Sequence, residues 1–101
     1  MKFITQWKVR PGKLPEAIDR FLITGDPKPE GITSLGRWFR TDLLAGYHLV
    51  EAQSAVAIAQ YSARWADLLD LEISPVIEDA EAASVMGDVA GVTAKAGAVR
   101  K

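Results

Sequence analysis

The chain has 101 residues and a formal net charge of -1, which fits one domain and offers no global attraction to nucleic acid or to an anionic membrane. Apolar residues make up 49% and charged residues 25%, ordinary values for a globular protein. With no cysteine, disulfide frameworks, thiolate metal sites and cysteine nucleophiles are excluded, and a reducing cytoplasm suits the composition.

The opening run Met1–Trp7 is too short, and too interrupted by Thr5 and Gln6, to be a signal peptide. No segment approaches the ~20 apolar residues of a membrane span, so a soluble, cytoplasmic protein is expected. Residues 2–9 alternate, with Phe3, Thr5, Trp7 and Val9 on one side and Lys2, Ile4, Gln6 and Lys8 on the other. That period of two predicts a strand, and Pro11-Gly12 ends it. The period then changes. Leu14, Ala17, Ile18, Phe21 and Leu22 make a helical stripe over 14–24, with Pro15 in its first turn and Gly25 as its C-terminal cap. Asp26-Pro27-Lys28-Pro29-Glu30-Gly31 can only be loop.

Two further strands are predicted over 32–40 and 46–52, joined as a hairpin whose tip carries Leu43 and Leu44. Those leucines either pack on the fold or a partner chain, or form a binding lip. The longest helix is expected over 54–69, capped by Ser54, with Ala55, Ile58, Ala59, Ser62, Trp65, Ala66 and Leu69 facing the core and Tyr61 and Arg64 as a polar border. Residues 71–78 read as a fourth strand. Pro75 cannot donate to a ladder, so this strand belongs at a sheet edge or carries a bulge. A short helix capped by Asp79 and ending before Gly87 follows, and 88–101 reads as a flexible tail, leaving 1–87 as the domain.

The order β-α-β-β-α-β is the split βαβ pattern. The fold class is therefore α+β: a ferredoxin-like, four-stranded antiparallel sheet in the order 4-1-3-2, with helices on one face. Large apolar residues occur on both alternating sets of the strands, whereas a one-sided sheet would show polar residues towards solvent. Something should cover the second face, and a second copy of the chain, related by two-fold symmetry, is the simplest cover.

Specific words in the chain resemble the domain-of-unknown-function 3303 family, small bacterial proteins of the dimeric α/β-barrel superfamily. They are Met1-Lys2-Phe3 with Trp7, Pro11-Gly12-Lys13, Ala17-Ile18, Arg20-Phe21-Leu22 and Pro27-Lys28-Pro29-Glu30-Gly31. Further on come Leu35-Gly36-Arg37-Trp38, Leu49-Val50-Glu51-Ala52, Trp65 with Asp67-Leu68-Leu69, and Pro75-Val76-Ile77. The resemblance covers roughly residues 1–85. It implies a ferredoxin-like protomer and a dimer whose two sheets enclose a barrel, and it implies no activity. Related barrel families include cofactor-free monooxygenases and isomerases, but a fold does not fix a function.

His48, the one histidine, lies within a strand and is the catalytic candidate as a general base; it also suits a structural place in the sheet. A single histidine without spaced carboxylates lacks a metal ligand set, and its place on a strand argues against haem, so no metal or cofactor is expected. Glu51 is three residues on and leaves the opposite face, which rules out a dyad with His48; Arg37 on the neighbouring strand is its candidate partner. In Gly36-Arg37-Trp38, the glycine predicts a bulge or a close approach, the arginine can clamp a carboxylate and the tryptophan offers a flat wall. With Trp7 and Glu51, Arg37 and Trp38 form the candidate ligand-binding set, expected around the uncovered sheet face; the alternative is that the tryptophans are core or interface. Three functions follow. They are a homodimeric small-molecule-binding protein, a cofactor-independent oxygenase or isomerase acting on a small aromatic or acidic molecule, and a structural protein whose barrel is packed shut.

Overall fold

The computed structural model describes the backbone of residues 1–100 and the side chains of residues 1–91. The elements are β1 (Lys2–Val9), α1 (Leu14–Thr24), β2 (Ile32–Phe39), β3 (Ala45–Ala52), α2 (Ala55–Ala63), β4 (Leu69–Val76) and α3 (Asp79–Arg100). The four strands form one antiparallel sheet in the order β2-β3-β1-β4, the expected order read from the other edge. This is the ferredoxin-like βαββαβ fold. β4 pairs only with β1, so Pro75, opposite Phe3, sits on an edge strand as its missing N–H requires.

Local signals act where the sequence places them. Gly25 adopts the left-handed conformation (φ 67°) and its N–H closes α1 on the Phe21 carbonyl. The Ser54 hydroxyl accepts the Ala57 N–H at 3.1 Å and starts α2. α2 is shorter than expected: it ends at Ala63, and a chain of turns carries residues 64–68 to a strand that begins at Leu69 rather than at 71.

α3 starts one residue early, because the Glu78 N–H donates to the Glu81 carboxylate at 3.2 Å and the Glu78 carbonyl takes the first helical bond from Ala82. The helix then runs on through Gly87 to Arg100, where a stop had been expected. One glycine costs about 1 kcal/mol against alanine, and the alanines around it favour helix. The expected tail, 88–101, includes residues 92–101, whose side chains lie outside the described ones.

α1 and α2 cover one face of the sheet. The core there is Phe3, Ile32, Val50, Ala52, Ile58 and Tyr61. α2 is rotated from the expected stripe: Ala55 and Ala59 are exposed, as is Ala66 in the turn that follows, while Tyr61, expected at the polar border, is buried. The other face carries Ile4, Leu35, Trp38, Tyr47 and Leu49 among charged residues, and nothing among the described residues covers it; Trp38 is 57% and Tyr47 53% exposed.

One irregularity decides which side chains meet. In the β2–β3 ladder Ser34 pairs with Val50 and Gly36 with Leu49, leaving Leu35 as an extra residue. This is the bulge that Gly36 predicted. Because strand side chains alternate, one extra residue reverses the faces of everything after it. Arg37 and Phe39 therefore pair with His48 and Gly46 on the helix side, and Trp38 pairs with Tyr47 on the open side.

Candidate functional site

A cavity of about 320 Å³ lies between the helix-side face of the sheet, α1 and α2. Its walls are mostly apolar: Trp7, Phe39, Leu69 and Leu71 from the strands, Phe21 from α1, and Trp65 from the turn after α2. Trp7 can lie across the sheet because Gly46 opposite has no side chain; a Cβ there would collide with the Trp7 ring and with the Trp38 carbonyl oxygen. Phe39 meets Trp7 edge to face at 5.3 Å and Phe21 at 5.8 Å, both favourable arrangements for aromatic quadrupoles. Leu43, at the hairpin tip, holds a left-handed φ of 64° and lines the same cavity while remaining half-exposed, so it forms part of the rim.

One end of the cavity is polar. Asp26 is only 5% exposed although it follows directly on the α1 cap. Its left-handed φ of 51°, which aspartate tolerates better than most residues, turns the chain here. The carboxylate accepts hydrogen bonds from the Arg37 guanidinium and the Tyr61 hydroxyl, and from the Trp65 indole N–H at 3.1 Å. Arg37 also stacks over the Phe21 ring at 5.2 Å. A loop, an edge strand and the α2 segment are thereby tied to one buried carboxylate. Arg37 Nη2 makes the bonds to Asp26 and Tyr61, and its other guanidinium N–H groups have no partner among the described residues.

His48 lies beside this cluster, 4% exposed, with Nε2 2.8 Å from the Ser34 hydroxyl. Burial, and then the neighbouring Arg37 charge, push its imidazole down to about 4 against a smaller pull upward from Asp26. It is neutral at pH 7. Burial also pushes the Tyr61 phenol up, and the hydrogen bond to Asp26 adds to this, so Tyr61 stays a protonated donor. Outside the cavity Arg20 clamps α1 to the turn after α2, with two bonds to Asp67 of 2.8 and 2.7 Å and one to the Arg64 carbonyl at 3.0 Å. Its hydrogen bond holds the Asp67 carboxyl down to about 2.

Of the residues singled out from sequence, Trp7, Arg37 and His48 line the cavity. Trp38 and Glu51 do not: Trp38 lies over Gly36 on the open face, and Glu51 is half-exposed there, bound to the Met1 amino group at 2.8 Å. Arg37 pairs with Asp26 rather than with Glu51. The expected grouping of Trp7, Arg37 and Trp38 on one uncovered face is thus divided: Arg37 and Trp38 are consecutive and take opposite faces, the bulge sets Arg37 with Trp7 on the helix side, and the cavity lies there. Asp26, Tyr61 and Thr5 were missed. Asp26 was hidden in a run of prolines, lysine and glutamate that reads as solvated loop. Among the described residues there is no group of three or more histidine or acidic side chains that could hold a metal ion, and no helix long and apolar enough to cross a membrane.

The model of the family "Domain of unknown function (DUF3303)" matches residues 1–90, and the chain belongs to that family. No curated protein matches it. Among solved structures it is similar to Rv0793 from Mycobacterium tuberculosis, with a TM-score of 0.45, 16% sequence identity, and coverage of 77% of this chain and 96% of that one.

Proposed function

We propose that this member of the family is a homodimeric small-molecule-binding protein whose ligand occupies the cavity between helices and sheet, within the domain formed by residues 1–87. The observation that carries the reading is the cavity itself. At about 320 Å³ it falls at the lower end of small-molecule sites, and it has apolar walls with a few polar groups converging at one end. Trp7 and Arg37 serve as wall and anchor, and His48 lines the same chamber.

The dimer would form through the open sheet face. Trp38, Tyr47 and Leu35 are large and exposed there, and Lys8 lies on the same face as Asp70 and Glu72, so a two-fold partner could offer complementary charge. Trp38 and Glu51 then belong to the interface. Native mass spectrometry of protein freshly purified from its source organism tests both parts: a dimer retaining a small molecule is expected, and a ligand-free monomer counts against both. His48→Ala separates a binder from an enzyme, because ligand affinity should change little whereas any turnover that uses His48 as a base should collapse.

A further inference from the structure

Taking the cavity as the binding site, we infer that its ligand is a neutral molecule, a flat apolar ring system bearing a hydrogen-bond acceptor such as a carbonyl or amide oxygen, and that the site rejects the corresponding carboxylate. The inference rests on how charge is already spent at the polar end. The arginine looks at first like a carboxylate clamp, since a guanidinium and a carboxylate match in geometry. Here the match is made within the protein: Arg37 is ion-paired to Asp26, and both are largely buried.

An incoming anion would lose its water in a chamber whose walls are almost entirely apolar, a large cost without a free counter-ion. It would have to share Arg37 with a carboxylate already in place, bringing two like charges close together. The cavity lining offers it no second cation: His48 is neutral at pH 7 and bonds Ser34, and Lys28, whose ammonium donates to the Asp26 carbonyl at 3.5 Å, lies outside the lining. A neutral acceptor meets none of these costs. The Arg37 N–H groups that Asp26 and Tyr61 leave unused can donate to it. Thr5 adds a second polar group: it lines the cavity, is 8% exposed, and its hydroxyl has no hydrogen-bond partner among the described residues. Trp7, Phe21, Phe39 and Trp65 supply flat or edge-on surfaces for the ring.

The test compares 2-naphthamide with 2-naphthoate, two probes of the same shape that differ in charge at pH 7.5. Binding to the unmodified protein is measured by isothermal titration calorimetry, with ligand-detected NMR for weak affinities. The amide should bind at least ten-fold more tightly. Equal or tighter binding of naphthoate overturns this inference and leaves the cavity standing as a binding site. Binding of neither probe at millimolar concentration overturns the cavity reading and the inference together. In Asp26→Asn, where Arg37 loses its internal partner, the preference should shift towards naphthoate by at least ten-fold; a preference that does not move shows that the Asp26–Arg37 pair is not its cause. The comparison on the unmodified protein decides the inference even if that variant does not fold.

Discussion

Replacing Asp26 with asparagine removes one charge and almost nothing else. Asparagine tolerates the left-handed backbone at this position about as well as aspartate, so the φ of 51° adds no strain. The amide oxygen can still accept from Tyr61 or Trp65. What is lost is the counter-ion of Arg37, whose side chain is 19% exposed. Removing one partner of a buried ion pair costs about 3–5 kcal/mol, because the other charge is left uncompensated. Since Arg37 keeps some access to water, the lower end applies, ~3 kcal/mol. That is a large part of the ~5–15 kcal/mol that holds a domain together. With a urea dependence of ~1.5 kcal/mol per molar, the midpoint should fall by ~2 M.

Urea unfolding followed by tryptophan fluorescence measures this directly, since Trp7 and Trp65 line the cavity. Arg37→Met supplies the control. On its own it leaves Asp26 as the unpaired charge; combined with Asp26→Asn it removes both charges and should recover most of the loss. The double-mutant cycle should give a coupling of ~2 kcal/mol or more. If Asp26→Asn costs less than ~1 kcal/mol, or the two changes are simply additive, Asp26 and Arg37 are not a buried pair and the charge argument for the site fails with them.

His48 is depressed to about 4 in the fold from an ordinary 6.5, so between these values the unfolded chain binds more protons and stability must fall as pH is lowered. The loss should reach at most ~3 kcal/mol by pH 4 and be absent above pH 7, and His48→Gln should flatten the pH dependence of the urea midpoint in that window. Gly46→Ala drives a methyl group into Trp7 and into a backbone oxygen that cannot yield; the cost should be ~2 kcal/mol, seen as a melting temperature lowered by ~10 °C, and an unchanged melting temperature would remove the account of how Trp7 is seated. Trp38→Lys places a charge on the open sheet face, so sedimentation should show a monomer with an unchanged circular dichroism spectrum, whereas an intact dimer would exclude that face as the interface.

Most of the fold was legible because its signals are local. Period two marked the strands, period 3.6 the helices, Gly25 and Ser54 the helix ends, and Pro75 an edge. The burial of Tyr61 was not legible, because it depends on a partner in a distant loop. A tyrosine on an alanine-rich helix reads as a border residue until an acceptor is found for its hydroxyl. The acceptor is Asp26, 35 positions away, in a segment whose composition signals solvent. Buried polar networks have this property generally: no member looks buried until all of them are placed.

Leu35 shapes the site although it is not among the cavity's lining residues. Counting alternation from Ile32 without a bulge puts Ser34, Gly36 and Trp38 under the helices and Arg37 and Phe39 in solvent. In that register the chamber would hold a tryptophan and no cation, Asp26 would have no ion-pair partner, and the open face would lose its most exposed aromatic residue. One extra residue exchanges them: Arg37 meets Asp26, Phe39 completes the aromatic wall with Trp7 and Phe21, and Trp38 moves to the face left for a partner. The glycine after the bulge lets this happen at low cost, since its missing side chain leaves room for the Trp38 ring to fold over the strand. Deleting Leu35 should therefore close the bulge without exchanging the faces, because Ser34 and Gly36 would then follow one another opposite Val50 and Leu49 as they already do. Cavity and interface should both survive, with probe binding and the sedimentation coefficient unchanged; loss of either would show that the bulge itself, and not the alternation beyond it, shapes the site.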